Sequence, residues 1–187
     1  MRRPWRAALS VTIVGAGLLV GAPQSEAQIP LSGFNEMLSP SQGAIFTSAS
    51  GVLTGGLSLD GSSIQYTLTY NFPDATPVQG SQYVNEAHLH FGQRHTSGGA
   101  IAYLCFSEGN ATPVPPGTPP CPSPSGTVTG TLTAASIVGP SAQGISPGDF
   151  QKLIQAAVAG VVYGNVHTDR YPTGEIRGQI PGAAEQP

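Results

Sequence analysis

The chain has 187 residues, 39% of them hydrophobic and only 9% charged, with seven Lys and Arg against ten Asp and Glu. That length suits one domain with a core of its own and is too short for two comfortable ones. So few basic residues argue against nucleic acid and anionic membranes as partners, since both demand clustered Lys and Arg.

Residues 1–27 read as a signal peptide. The basic MRRPWR is followed by the apolar AALSVTIVGAGLLVG, and Ser25 and Ala27 are the small residues of a cut before Gln28. The apolar run is short and broken by glycines, and no basic stop-transfer flank follows, so cleavage is favoured over a retained anchor. No cysteine near the cut accepts a lipid, and no sorting motif ends the chain. The expected mature protein, 28–187, is secreted or periplasmic, has no membrane span and meets an extracellular ligand or protein that the sequence does not name. Its basic residues are Arg94, Lys152, Arg170 and Arg177.

The remainder reads as mostly β. In VLTGGLSLDGSSIQYTLTYNF (52–72), Leu57 and Leu59, then Ile64, Tyr66, Leu68 and Tyr70, alternate with other residues, and Asp60-Gly61 supplies a hairpin turn. AIAYLCF (100–106) is a dense apolar strand and GTVTGTLT (126–133) a second, rich in β-branched residues. Cys105 and Cys121 flank a proline-rich loop, and an oxidising compartment predicts a disulfide between them rather than a metal pair. The Asn110-Ala111-Thr112 sequon in that loop carries little weight. SPGDFQKLIQAAVAG (146–160) predicts one short amphipathic helix. Ser146 is its N-cap, Pro147 takes the first helical position, and Asp149 lies in the first turn. Phe150, Leu153, Ile154 and Ala157 recur at helical spacing, and Gly160 is the stop. GVVYGNVHT (160–168) and EIRGQI (175–180) form a last strand pair around a turn with Pro172 and Gly174. The 25 Gly and 18 Pro fall mainly between these runs, which points to a sandwich or barrel.

GISPG (144–148) fits the nucleophile elbow of serine hydrolases, but that elbow needs a strand before the serine and here a loop precedes it. The histidines carry more. EAHLHFGQRH (86–95) holds His88, His90 and His95, and YGNVHTDRYPTGEIRGQI (163–180) holds His167 with Arg170 and Arg177. Ala87, Leu89 and Phe91 alternate with His88 and His90, so a strand puts both imidazoles on one face, about 7 Å apart. That spacing lets two histidines converge on one ion, and neutral imidazole suits copper or zinc. Taken alone, the H-x-H pattern favours histidines that only hydrogen-bond to backbone. Glu175, Arg177 and Gln179 share a face of their strand. His167 joins that side only if the hairpin pairs residues whose numbers sum to an even value, and the sequence does not set this register. The two motif strands are expected to meet at one end of the barrel, gathering His88, His90 and His167 with Glu86, Glu175 and Arg177. Asn85, Glu86, Thr168 or Glu175 would orient the rings of a metal site. In a structural cluster, Arg177 would pair with a carboxylate such as Glu175 or Glu86.

AHLHFG, the apolar strand after it, GTVTGTLT, the short helix and above all YGNVHTDRYPTGEIRGQI resemble the CHRD domain, named for chordin and found singly in secreted bacterial proteins. The likeness covers about Pro30 to Pro181. It implies an all-β, Greek-key or immunoglobulin-like sandwich or barrel with one crossover helix, and it implies no particular chemistry. MLSPSQGAIFTS (37–48) lacks the acidic residue that the family often carries in its first strand region. A fainter likeness is to copper–zinc superoxide dismutases, Greek-key barrels with an H-x-H strand followed by Phe-Gly, then a late copper histidine and an arginine. His88, His90, His167 and Arg177 stand in that order. This resemblance implies a three-histidine copper or zinc site, with Arg177 steering an anion toward the metal. The bridging histidine and the zinc ligands of those enzymes have no match, although His95 is available as a displaced ligand. Two functions follow: a CHRD-domain protein with a non-catalytic binding or structural role, or a mononuclear copper or zinc protein.

Overall fold

The computed structural model describes residues 34–38, 45–77, 83–107 and 113–185, the first segment by its backbone alone. The signal-peptide segment with its cut before Gln28, and the Asn110 sequon, lie outside these residues. Within them are eight strands and one α-helix: β1 (Phe34–Leu38), β2 (Ser50–Leu57), β3 (Ile64–Asn71), β4 (Val84–Phe91), β5 (Ala100–Phe106), β6 (Ser125–Leu132), α1 (Phe150–Val158), β7 (Val162–Thr168) and β8 (Ile176–Gln179). They form two four-stranded sheets, ordered β1-β2-β3-β6 and β5-β4-β7-β8, with every pairing antiparallel. The fold is an all-β sandwich.

In the first sheet the period of two is plain. Ile64, Tyr66, Leu68 and Tyr70 of β3 point into the core, while Gln65, Thr69 and Asn71 are exposed. Val128 and Leu132 of β6 are buried, and Thr127, Thr129 and Thr131 face solvent. Burying each large apolar side chain contributes about 1.5–3 kcal/mol, and this alternation selects the register. Gly130 lies opposite Tyr66, and a Cβ there would come 2.3 Å from the Tyr66 hydroxyl. That hydroxyl instead crosses the core and donates to the Leu104 carbonyl of β5 at 2.5 Å. A Cys105–Cys121 disulfide ties β5 to the segment leading into β6.

Two expectations need correction. Leu59 belongs to no strand and is fully exposed. The Asp60 carboxylate accepts from the hydroxyls of Ser58 and Ser62 and from the Ser62 amide, so a turn organised around it ends β2 at Leu57. Ser146 is not the helix cap. The Asp149 amide donates to the Ser146 carbonyl, closing a turn in which Gly148 sits at φ +85°. A left-handed residue cannot belong to the helix, so α1 starts after it, with the Asp149 side chain accepting from the Lys152 amide. The helix lies on the connection from one sheet to the other and buries Phe150, Leu153, Ala156 and Ala157 in the shared core. Among the described residues no helix is long and apolar enough to cross a membrane.

The second sheet differs. Strand β7 is buried at every position, on both faces. It pairs His90 with Tyr163, His88 with Asn165 and Glu86 with His167 across β4. Across β8 it pairs Tyr163 with Gln179 and Asn165 with Arg177. The hairpin sums are therefore even, and one face of the sheet carries Glu86, His88, His90, Tyr163, Asn165, His167, Arg177 and Gln179. The opposite face gives Ala87, Leu89, Val162, Val166 and Ile176 to the core.

Candidate metal centre

His88, His90 and His167 converge. One ring nitrogen from each lies within 4.8 Å of the others, and all three side chains are buried. Ring centroids are 4.8 Å apart for His88 and His167, 5.2 Å for His88 and His90, and 5.7 Å for His90 and His167. Burial, with the neighbouring imidazoles adding to it, lowers the pKa of His88 to about 2. Burial also lowers His90 to about 4 and depresses His167. Desolvation penalises the imidazolium form, so the rings are neutral at physiological pH, as metal ligation requires.

The hydrogen bonds set the tautomers. His90 Nδ1 is 2.9 Å from the Gly98 carbonyl and His167 Nδ1 is 2.9 Å from the Pro172 carbonyl. A carbonyl only accepts, so both rings carry their proton on Nδ1 and present a bare Nε2. His90 Nε2 is buried without a hydrogen-bond partner among the described residues. His88 Nδ1 is 3.1 Å from His167 Nε2, while its own Nε2 is 3.6 Å from Glu86 Oε2 and is also unpartnered by hydrogen bonds. With its proton on Nδ1, His88 donates to His167 Nε2 and turns its Nε2 lone pair toward the Glu86 carboxyl group. With its proton on Nε2, it turns a lone pair onto that of His167. A cation among Nδ1 of His88 and Nε2 of His90 and His167 would take the place of the Nδ1 proton, and the Nε2 proton of His88 would then face Glu86. The donor set, three neutral imidazoles, fits copper or zinc.

The surroundings are aromatic and tightly held. Tyr163 stacks on His90 at 4.9 Å and an interplanar angle of 7°, and Tyr103, opposite His88 on β5, meets it edge-on at 4.4 Å. Burial raises the pKa of Glu86. Gly174, at φ +109°, leaves room for Asn165, whose amide oxygen would lie 2.1 Å from a Cβ there. Asn165 in turn donates to the Thr173 carbonyl at 3.3 Å.

Of the residues singled out in the sequence, His88, His90 and His167 come together with Glu86 beside them. His95 does not join them; it is exposed and lies in the loop after β4 at φ 63°. Glu175 is buried but accepts from the hydroxyls of Tyr83 and Thr168, both at 2.9 Å, so Thr168 is spoken for as well. Among the described residues Arg177 pairs with no carboxylate. Its guanidinium donates to the carbonyls of Thr96 at 2.6 Å and Gln93 at 2.9 Å, and lies 3.4 Å from the Tyr163 ring centroid. Sequence reasoning missed Tyr163 and Asn165, although both share the His167 face at a spacing of two.

The model of the CHRD domain matches residues 27–180, and the chain belongs to this family. No curated protein matches the chain. No solved structure matches it either.

Proposed function

We propose that this CHRD-domain protein is a mononuclear metal-binding protein, with His88, His90 and His167 as ligands to copper or zinc and Glu86 orienting His88. The observation that carries the reading is the convergence of three buried imidazoles, one nitrogen of each within 4.8 Å of the others, with the Nε2 of His90 left without a hydrogen bond among the described residues. Glu86 gives the ion a nearby carboxylate in a charge-poor chain. Metal binding ranks here above a purely structural role, because a structural cluster would be expected to satisfy its own buried nitrogens. The reading includes export to a secreted or periplasmic space, supported by the N-terminal sequence, the disulfide and the family.

The test is titration of the full, chelator-stripped protein with Cu(II) and Zn(II), beside a His88→Ala, His90→Ala double variant. One equivalent is expected to bind, copper more tightly than zinc, and the double variant is expected to lose it. Weak, sub-stoichiometric binding that survives the double substitution removes the metal centre and leaves a polar cluster.

A further inference from the structure

Arg177 has an environment that calls for an explanation. It is buried, 8% exposed, and takes part in neither of the two ion pairs among the described residues. Its charge is met by backbone. Nη1 donates to the Thr96 carbonyl, and Nη2 to the Gln93 carbonyl and, at 3.4 Å, to Gln179 Oε1. Both carbonyls belong to the loop that joins β4 to β5. The same loop is held at Gly92, whose carbonyl accepts from Gln179 Nε2 at 3.0 Å. It is held again at Gly98, whose amide donates to the Tyr163 hydroxyl at 3.1 Å. The Gly98 carbonyl is the group that takes the Nδ1 proton of His90.

We infer that Arg177 is a positioning residue for the metal centre: it clamps the loop of residues 92–99 so that the Gly98 carbonyl fixes the tautomer of His90 and Tyr163 fixes its ring plane. It acts through the loop and the tyrosine, and both of its Nη atoms donate to carbonyl oxygens of the protein. The chemistry explains the residue type. A planar fork reaches two carbonyls at once while its face lies on an aromatic ring, and a compact lysine ammonium, with no planar face, does not combine the two in this geometry. The consequence for metal affinity rests on the proposed metal centre; the clamp itself does not.

The experiment uses the full protein, stripped with chelator, with histidine side chains labelled with 15N and read by NMR. In the wild type, His90 is expected as a single Nδ1–H tautomer. Arg177→Met and Arg177→Lys are both expected to turn it into a mixture and to weaken Cu(II) binding about 10–100-fold. The lysine therefore should not rescue. A wild-type His90 protonated on Nε2 overturns the inference, and so does an Arg177→Lys protein with wild-type tautomer and affinity. If neither variant folds, the Arg177 Nη protons of the wild type decide. Slow solvent exchange is expected of a clamped fork, and fast rotation and exchange overturn the clamp. A wild type with the expected tautomer and slow Nη protons but no copper binding leaves the clamp standing and removes the metal centre instead.

Discussion

The two sheets of the sandwich share a core, and their outer faces are opposites. The outer face of the first carries Ser, Thr, Gln and Asn from β3 and β6, mostly exposed, and its Thr69 and Thr127 hydroxyls lie 3.0 Å apart. Water can satisfy every polar group there. The outer face of the second is polar too, yet it is covered by the 92–99 loop and the β7–β8 turn, so its polar groups must find partners within the protein. Arg177, Gln179, Asn165 and His167 do, largely from loop carbonyls. Among the described residues, His88 Nε2 and His90 Nε2 find no hydrogen bond. Polarity on a strand face is therefore cheap where solvent reaches it, and becomes informative where the chain spends a loop on covering it.

Acid should separate the two faces most. The three clustered imidazoles titrate at depressed values in the fold, so below 6.5, the ordinary histidine value, the unfolded chain takes up more protons. Stability is then full above about pH 6.5 and falls as pH drops toward the folded values, by about 1.4 kcal/mol per unit for each such ring. Between pH 6.5 and about pH 5, His88 and His90 together should cost about 3 kcal/mol in the stripped protein, since the full slope is reached only below the ordinary value. Thermal melts across that range should show it. A flat profile would mean that the rings are charged or solvated in the native state.

A smaller effect tests the cover. A Cβ on Gly98 would lie 1.6 Å from the Phe91 carbonyl oxygen, so Gly98→Ala must displace backbone at the point that holds His90. Denaturant unfolding should register a loss of about 2 kcal/mol, and an unchanged midpoint would show that the loop adapts freely. Smallest of all, Thr129→Ala on the open face should change stability by less than about 0.5 kcal/mol. A larger loss would mean that this face, too, is covered in the native protein.

Side-chain periodicity made part of this legible. AIAYLCF is β5 to the residue, and AHLHFG put His88 and His90 on one face because apolar neighbours claim the other. The partners were not legible. Gly98 and Pro172 act through carbonyl oxygens, which every residue has, so no letter of the sequence marks them. The turn between β7 and β8 fixes whether His167 and Arg177 share a side, and that depends on backbone geometry rather than composition. For a structural cluster a count of charges offers Arg177 a carboxylate, and for a metal site an anion to steer, whereas the guanidinium is met by backbone. Ser146 and Asp149 both suit a helix N-cap, and the left-handed Gly148 between them decided for the second.

The central claim is that the covered face of the second sheet holds one metal ion through three imidazoles. X-ray absorption of the protein loaded with one equivalent of zinc tests it most directly. Three imidazole nitrogens are expected at about 2.0–2.1 Å, with ring scattering beyond them. A shell of oxygens without imidazole scattering, or an ion that washes away under mild chelation, would contradict it.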